Sequence, residues 1–217
     1  MSEDSACPLC GQAAMRHLSC VRGVDFGQCD HCGLVQRDPA QWPDARSERA
    51  YYQLHRNQPD DPGYRRFLQP LFDALQPRLP AAAQGLDFGC GEGPALAEML
   101  REAGHEVALY DPLFQPDSRC LDRRYDFVTA SEVFEHLHRP PETLLQLDRL
   151  LRPGGWLGIM TGTPPAATED LAHWHYLRDP THVLFYPHRT MAWIATHRGW
   201  HVEMPTRNVT LFHKPRG

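Results

Sequence analysis

Glu132, Glu135 and His136 form an E-x-x-E-H cluster directly after the apolar run 125–130. If that run is a strand, the cluster stands at its carboxyl end, where open α/β sheets bind their ligands. Spaced i, i+3 and i+4, the three side chains share one face if the segment is helical. Two carboxylates and an imidazole make a hard donor set, suited to magnesium or manganese and tolerable to zinc or iron. A fourth ligand can come from the later segment DPTHVLFY, residues 179–186.

A second grouping is made of thiols. Cys7 and Cys10 form one C-x-x-C pair and Cys29 and Cys32 another, with 18 residues between the pairs. Four soft thiolates at this spacing suit a tetrahedral zinc ion, with Gly11 and Gly33 turning the chain after each knuckle. So small a module buries too little core to fold alone, which makes the metal structural. Cys20 and His31 are spare donors, and Cys20 reads as a half-buried ribbon residue. The paired cysteines point to metal in a reducing compartment rather than to disulfides.

The third grouping is the stretch LDFGCGEGP, residues 86–94. A short apolar strand ends in a glycine turn, and Pro94 opens a helix over 95–101. Glycine admits backbone angles that other residues resist and lets a ligand approach the main chain. Asp111 lies 18 residues beyond Gly93, closing the apolar run 105–110. An acid at that strand end can accept two hydrogen bonds from a ribose diol. The turn reads G-x-G-x-G, which departs from the dinucleotide fingerprint G-x-G-x-x-G.

The rest of the chain must position these groups. At 217 residues it holds one α/β domain and a small appendage. The divisions are a zinc ribbon over 1–38, a proline-marked linker over 39–63, and a main domain over 64–217. The ribbon segment carries Arg16, Arg22 and Arg37 against five acids, which is no nucleic-acid grip, and its expected role is a stabilising clip. Net charge is −5, so no strong field draws the chain to nucleic acid or anionic membrane. No apolar run approaches the roughly 20 residues of a membrane span, and residues 1–5 lack a signal-peptide pattern, so a cytoplasmic location is expected.

A short helix is expected over 47–55, with Tyr51 and Tyr52 packed on the main domain or, as the alternative, facing the cofactor cleft. The spacing of Phe67, Leu68, Leu71, Phe72 and Leu75 predicts a helix that stops near Pro77. Only 13 residues separate Asp111 from Tyr125, and they include Pro112 and Pro116, so any strand there is short or degenerate. A helix over 142–151 ends at Pro153-Gly154-Gly155, before a strand over 156–161. A helix over 190–197 and two closing strands, 200–204 and 209–213, complete the order.

From about Leu71 onward the chain resembles class I S-adenosylmethionine-dependent methyltransferases. The glycine turn matches their motif I, and LLRPGGWLGIMT matches the turn before their fifth strand. The resemblance implies a Rossmann-like, mostly parallel seven-stranded sheet, here with a doubtful third strand. It implies S-adenosylmethionine at Asp87, Gly89, Cys90, Gly91 and Asp111, with Thr129 and Ser131 nearby. The missing third-strand unit leaves Asp117 and Asp122 as weak substitutes for the adenine-contacting acid.

The E-x-x-E-H cluster followed by a later histidine also resembles two branches of that family. These are the small-RNA 3′-end 2′-O-methyltransferases and the ubiquinone-pathway catechol O-methyltransferases. The carry-over makes Glu132, Glu135, His136 and His182 ligands of a divalent ion, Mg2+ or Mn2+, with Glu135, His136 and His182 central to catalysis. Members without metal instead use such a glutamate as a helix cap and such a histidine in packing, and His182 or His136 then serves as general base. Trp174, Tyr176 and Arg178 are expected to wall the substrate pocket, Arg178 holding a carboxylate or phosphate. The expected activity is O-methylation of a small molecule. The alternatives are methylation of an RNA end, or a non-catalytic protein that binds the cofactor and docks a partner through its ribbon.

Overall fold

Apolar alternation and turn chemistry set the ribbon. In the computed structural model, which describes residues 6–12, 15–52 and 58–216, β1 (Met15–Val21) and β2 (Val24–Cys29) pair antiparallel. Arg22 and Gly23 between them both take positive φ, 54° and 78°, the handedness that matches the twist of a two-residue hairpin. β3 (Val35–Arg37) pairs with β2. Residues 1–5 lie outside the described residues, as does the end of the helix expected over 47–55. That helix is α1 (Ala45–Tyr52).

α2 (Pro62–Leu75) is capped by Asp61, whose carboxylate accepts from Tyr64 N at 2.6 Å, and buries Leu68, Leu71, Ala74 and Leu75. Then come β4 (Gln84–Phe88), α3 (Ala95–Glu102), β5 (Glu106–Tyr110), β6 (Tyr125–Ser131), α4 (Pro140–Leu150) and β7 (Leu151–Met160). β8 (Leu184–Phe185), α5 (His188–Arg198), β9 (His201–Thr206) and β10 (Val209–His213) close the chain. Gly199, at φ 67°, ends α5 in the left-handed conformation.

The main sheet runs β5-β4-β6-β7-β10-β9. Its first four strands are parallel, and β10 is antiparallel to both its neighbours. It has six strands among the described residues, where the resemblance implied seven. The segment after β5 folds back on itself, with Asp111 bridged to Gln115, and then makes a 3-10 turn over Ser118–Asp122. So short a stretch, broken by two prolines, has no room for a crossover helix, and β5 becomes the sheet edge. A second difference is at β7, which begins at Leu151 and runs through the Pro153-Gly154-Gly155 expected as a turn. A register shift between Tyr125 and Phe127 absorbs these residues as an irregularity in the ladder.

The ribbon does not stand apart. Its sheet has the order β1-β2-β3-β8, so the last strand comes from the main domain. Cys7, Leu9, Cys29, Cys32 and Leu34 share one buried cluster with Val183, Leu184, Tyr186, Met191 and Ile194. No helix among the described residues is long and apolar enough to cross a membrane.

Candidate active site

A cavity of about 1280 Å³ opens over the carboxyl ends of β4, β5 and β6. One half is built by the turn after β4. Gly89 and Cys90 donate their N–H groups to Tyr110 O at 2.7 and 3.2 Å, which ties the turn to the neighbouring strand end. Gly89 has φ 74°, and a Cβ there would lie 2.4 Å from Val133 Cγ2. Gly91 also has positive φ, 63°, but a Cβ on it would meet open space. Gly91, Cys90, Asp111 and Ser131 line the cavity.

Asp111 is more occupied than the sequence implied. Its Oδ2 accepts from Gly91 N at 3.1 Å, and its Oδ1 accepts from Leu113 N and Phe114 N at 2.8 and 3.0 Å. It clasps the glycine turn to the loop after β5, while still lining the cavity. Asp87 and Thr129, placed with the cofactor by resemblance, sit one layer down. Both are buried and face each other across β4 and β6, with Thr129 Oγ1 donating to Asp87 Oδ1 at 2.7 Å. Burial pushes the Asp87 carboxyl up to about 6. Neither residue lines the cavity.

The other half of the cavity holds the acid and histidine cluster. Glu132 directly follows β6 with φ 53°, a left-handed conformation that is costly for a non-glycine residue and collects at functional sites. A 3-10 turn, Phe134–His136, follows, so the cluster is not the helical face expected from its spacing. Glu135 is fully buried; its Oε2 accepts from Thr161 Oγ1 at 2.9 Å and its Oε1 from the Tyr176 hydroxyl. The same hydroxyl lies 3.0 Å from Glu132 Oε2. Burial and the neighbouring Glu135 push the Glu132 carboxyl up to about 9.

His182 arrives from across the cleft. One donor atom each from Glu135, His136 and His182 lies within 4.8 Å of the others, and the two imidazole centroids are 4.9 Å apart. Glu132 stands outside that group. His136 Nδ1 is 3.0 Å from Thr181 O, and His182 Nδ1 is 2.8 Å from Tyr176 O. A carbonyl only accepts, so both Nδ1 atoms carry the proton and each Nε2 is left as the unprotonated atom, that of His182 lying 3.6 Å from Asp179 Oδ2. That is the arrangement found behind metal-binding histidines. Burial lowers the His182 pKa, which favours the neutral, donating imidazole.

Of the expected pocket walls, Trp174 is half-buried, Arg178 is exposed, and both line the cavity. Tyr176 lines it too, but is buried with its hydroxyl committed to the two glutamates. Of the two placements open to Tyr51 and Tyr52, the preferred core packing gives way to the cleft-facing one: both line the cavity. Tyr52 donates to Glu48 Oε1 at 3.0 Å and meets the His136 ring edge-on at 5.1 Å. Thr161 and Glu48 thus join the site unannounced. The Glu-x-x-x-Tyr spacing to Tyr52, one helical turn on, was the available signal for Glu48.

The four ribbon thiols converge as their spacing predicted. Cys7 Sγ is 3.5 Å from Cys32 Sγ, and Cys10 Sγ is 3.6 Å from Cys29 Sγ, with all four within 4.8 Å. Zn–S bonds near 2.3 Å in a tetrahedron require sulfurs about 3.8 Å apart, so the set fits zinc. Gly11 and Gly33, with positive φ, donate to Cys7 O and Cys29 O at 2.9 Å each. His31 is exposed, edge-on to Trp193, and Cys20 is exposed rather than half-buried. Neither joins the four.

The family model described as methyltransferase domain matches residues 55–204. Among solved structures, the chain is similar to the Burkholderia thailandensis 1,6-didemethyltoxoflavin-N1-methyltransferase, solved with 1,6-didemethyltoxoflavin and S-adenosylhomocysteine. Identity there is 16%, the TM-score is 0.57, and 92% of this chain and 99% of that one are covered. It is also similar to an O-methyltransferase family protein from the same organism, at 18% identity and a TM-score of 0.50. That match covers 80% of this chain and spans 61% of the other. No curated protein matches the sequence.

Proposed function

We propose that this chain, which belongs to the methyltransferase domain family and is a methyltransferase, moves a methyl group from S-adenosylmethionine to a hydroxyl oxygen of a small molecule. One observation carries the oxygen assignment. Two histidines, each fixed through Nδ1 by a backbone carbonyl, place their unprotonated Nε2 atoms beside the fully buried Glu135 carboxylate, with Asp179 Oδ2 3.6 Å from that of His182. Glu135, His136 and His182 would hold a divalent ion there, with Glu132 beside them. When bound, such an ion lowers the pKa of a chelated hydroxyl and so supplies the oxyanion nucleophile.

The protein's own groups prepare that chemistry. Thr161 and Tyr176 donate to Glu135, hold its carboxylate in one orientation and stabilise its charge. His182, kept neutral by burial, can accept a proton. The turn at 89–93 offers main-chain contact to the cofactor, and Asp111 holds that turn in shape. Tyr51, Tyr52, Trp174 and Tyr176 give the acceptor side an aromatic, sheltered lining that favours a small ring-bearing substrate over a nucleic-acid end. The same fold, at nearly the same length, serves a small heteroaromatic acceptor in the didemethyltoxoflavin enzyme. In the ribbon, Cys7, Cys10, Cys29 and Cys32 would hold structural zinc.

The test is calorimetric titration of Mn2+ into zinc-loaded protein saturated with S-adenosylhomocysteine. Wild type should bind one equivalent, and His182→Ala should lose that binding while still taking the cofactor product. No binding by wild type would overturn the metal-assisted reading. The two histidines would then stand as proton acceptors, and nitrogen, carbon and sulfur acceptors would have to be screened.

A further inference from the structure

The loop carrying His182 is held from outside the main sheet. The outer edge of β3 pairs antiparallel with β8, Val35 opposite Phe185 and Gln36 opposite Leu184. The ladder runs on, Arg37 N donating to Val183 O at 2.9 Å and Val183 N to Glu135 O at 2.8 Å. Through its two backbone groups, Val183 thus links the ribbon to the turn that bears Glu135.

The Arg37 side chain extends this link. It is buried, 5% exposed. Its Nε donates to His182 O at 3.1 Å, and its Nη2 donates to Asp179 O at 3.0 Å and Leu177 O at 3.3 Å. Along residues 176–182, the carbonyls of Tyr176 and Thr181 receive the two imidazole Nδ1 protons, while those of Leu177, Asp179 and His182 receive the guanidinium. One short backbone loop therefore serves the ribbon's arginine and both histidines. Burying a cation against neutral carbonyls is costly, and a planar fork of fixed donors is what such a clamp needs.

We propose that Arg37 is a positioning residue of the acceptor site. It clamps the 176–182 backbone so that His182 faces His136 and Glu135, and the ribbon is thereby a component of that site. This rests on the reading of His182 as an acceptor-site residue, but not on a bound divalent ion.

The test reads the His182 tautomer in zinc-loaded full-length protein labelled with 15N-histidine, at a pH above the imidazole range. Long-range 1H–15N spectra of wild type, Arg37→Met and Arg37→Lys are compared, with His182→Gln assigning the signals. Neither metal nor acceptor is needed, so failure of the metal reading leaves this result standing. Wild type should show the single Nδ1–H pattern. R37M should lose it to tautomer exchange while binding S-adenosylhomocysteine unchanged, and R37K, which keeps the charge but not the fork, should lose it in part. A folded R37M with the wild-type His182 pattern would overturn the proposal. Should R37M fail to fold, R37K decides, and an unaltered pattern there overturns it.

Discussion

Asp87 is a buried acid that does not line the cavity, and its cost can be read from pH. Its carboxyl rises from 3.8 to about 6 on folding. Between those values the folded chain holds a proton that the unfolded chain has released, so this group's contribution makes stability fall as pH rises. The loss is complete above pH 6 and is at most about 3 kcal/mol, at 1.36 kcal/mol for each pKa unit. Asp87→Asn keeps an oxygen for the Thr129 hydroxyl and has no charge to bury. Its thermal midpoint at pH 8 should equal or exceed that of wild type, with a flatter profile between pH 4 and 6. A midpoint well below wild type at pH 8 would mean that the charge itself is needed by the turn above. The residue was legible in the sequence as part of the motif. Its pairing with Thr129 was not, because strand alternation relative to the cavity depends on neighbours the sequence does not align.

The glycine turn shows how one element divides its work. At Gly89 a methyl group would strike Val133, the residue between Glu132 and the 3-10 turn, so this glycine seats the turn after β4 against the segment after β6. At Gly91 the space is open, and only the backbone angle resists substitution, at about 1–2 kcal/mol. Gly91→Ala should therefore stay folded, with a modest drop in thermal midpoint, and lose S-adenosylhomocysteine binding in calorimetry. Gly89→Ala should lose several-fold more stability, since clash and angle add. Equal stability losses in the two variants would contradict this division. Elements of this kind were legible because strand, turn and helix follow one another within a few residues. The early start of β7 was hidden because a ladder irregularity depends on β6. The inward face of α1 was hidden because a short polar helix carries no strong apolar stripe.

At the scale of the molecule, the ribbon and the sheet share one core, through Cys7, Leu9, Cys29, Cys32 and Leu34. Calorimetry of the zinc-loaded chain should therefore give a single unfolding transition, and a strong chelator should lower that whole transition. A separate low-temperature ribbon transition, with the main one unmoved by chelation, would contradict the shared core. The ribbon's cysteines were plain in the sequence, since metal spacing is local. Its integration was not: the β3–β8 ladder is two residue pairs long, and the Arg37 clamp joins positions 145 residues apart. Nothing in β3 itself names its partner.

That separation has a consequence for the order of synthesis. Ribosomes add about 5–20 residues per second, so His182, 145 positions after Arg37, takes about 7–30 s longer to appear. During that interval the ribbon can gather its four thiols, but β3 is an open edge and Arg37 has no loop to clamp. An unpaired edge strand is a template for stray association. The 176–182 loop and its Arg37 clamp are therefore assembled late in a newborn chain, long after the glycine turn has been made.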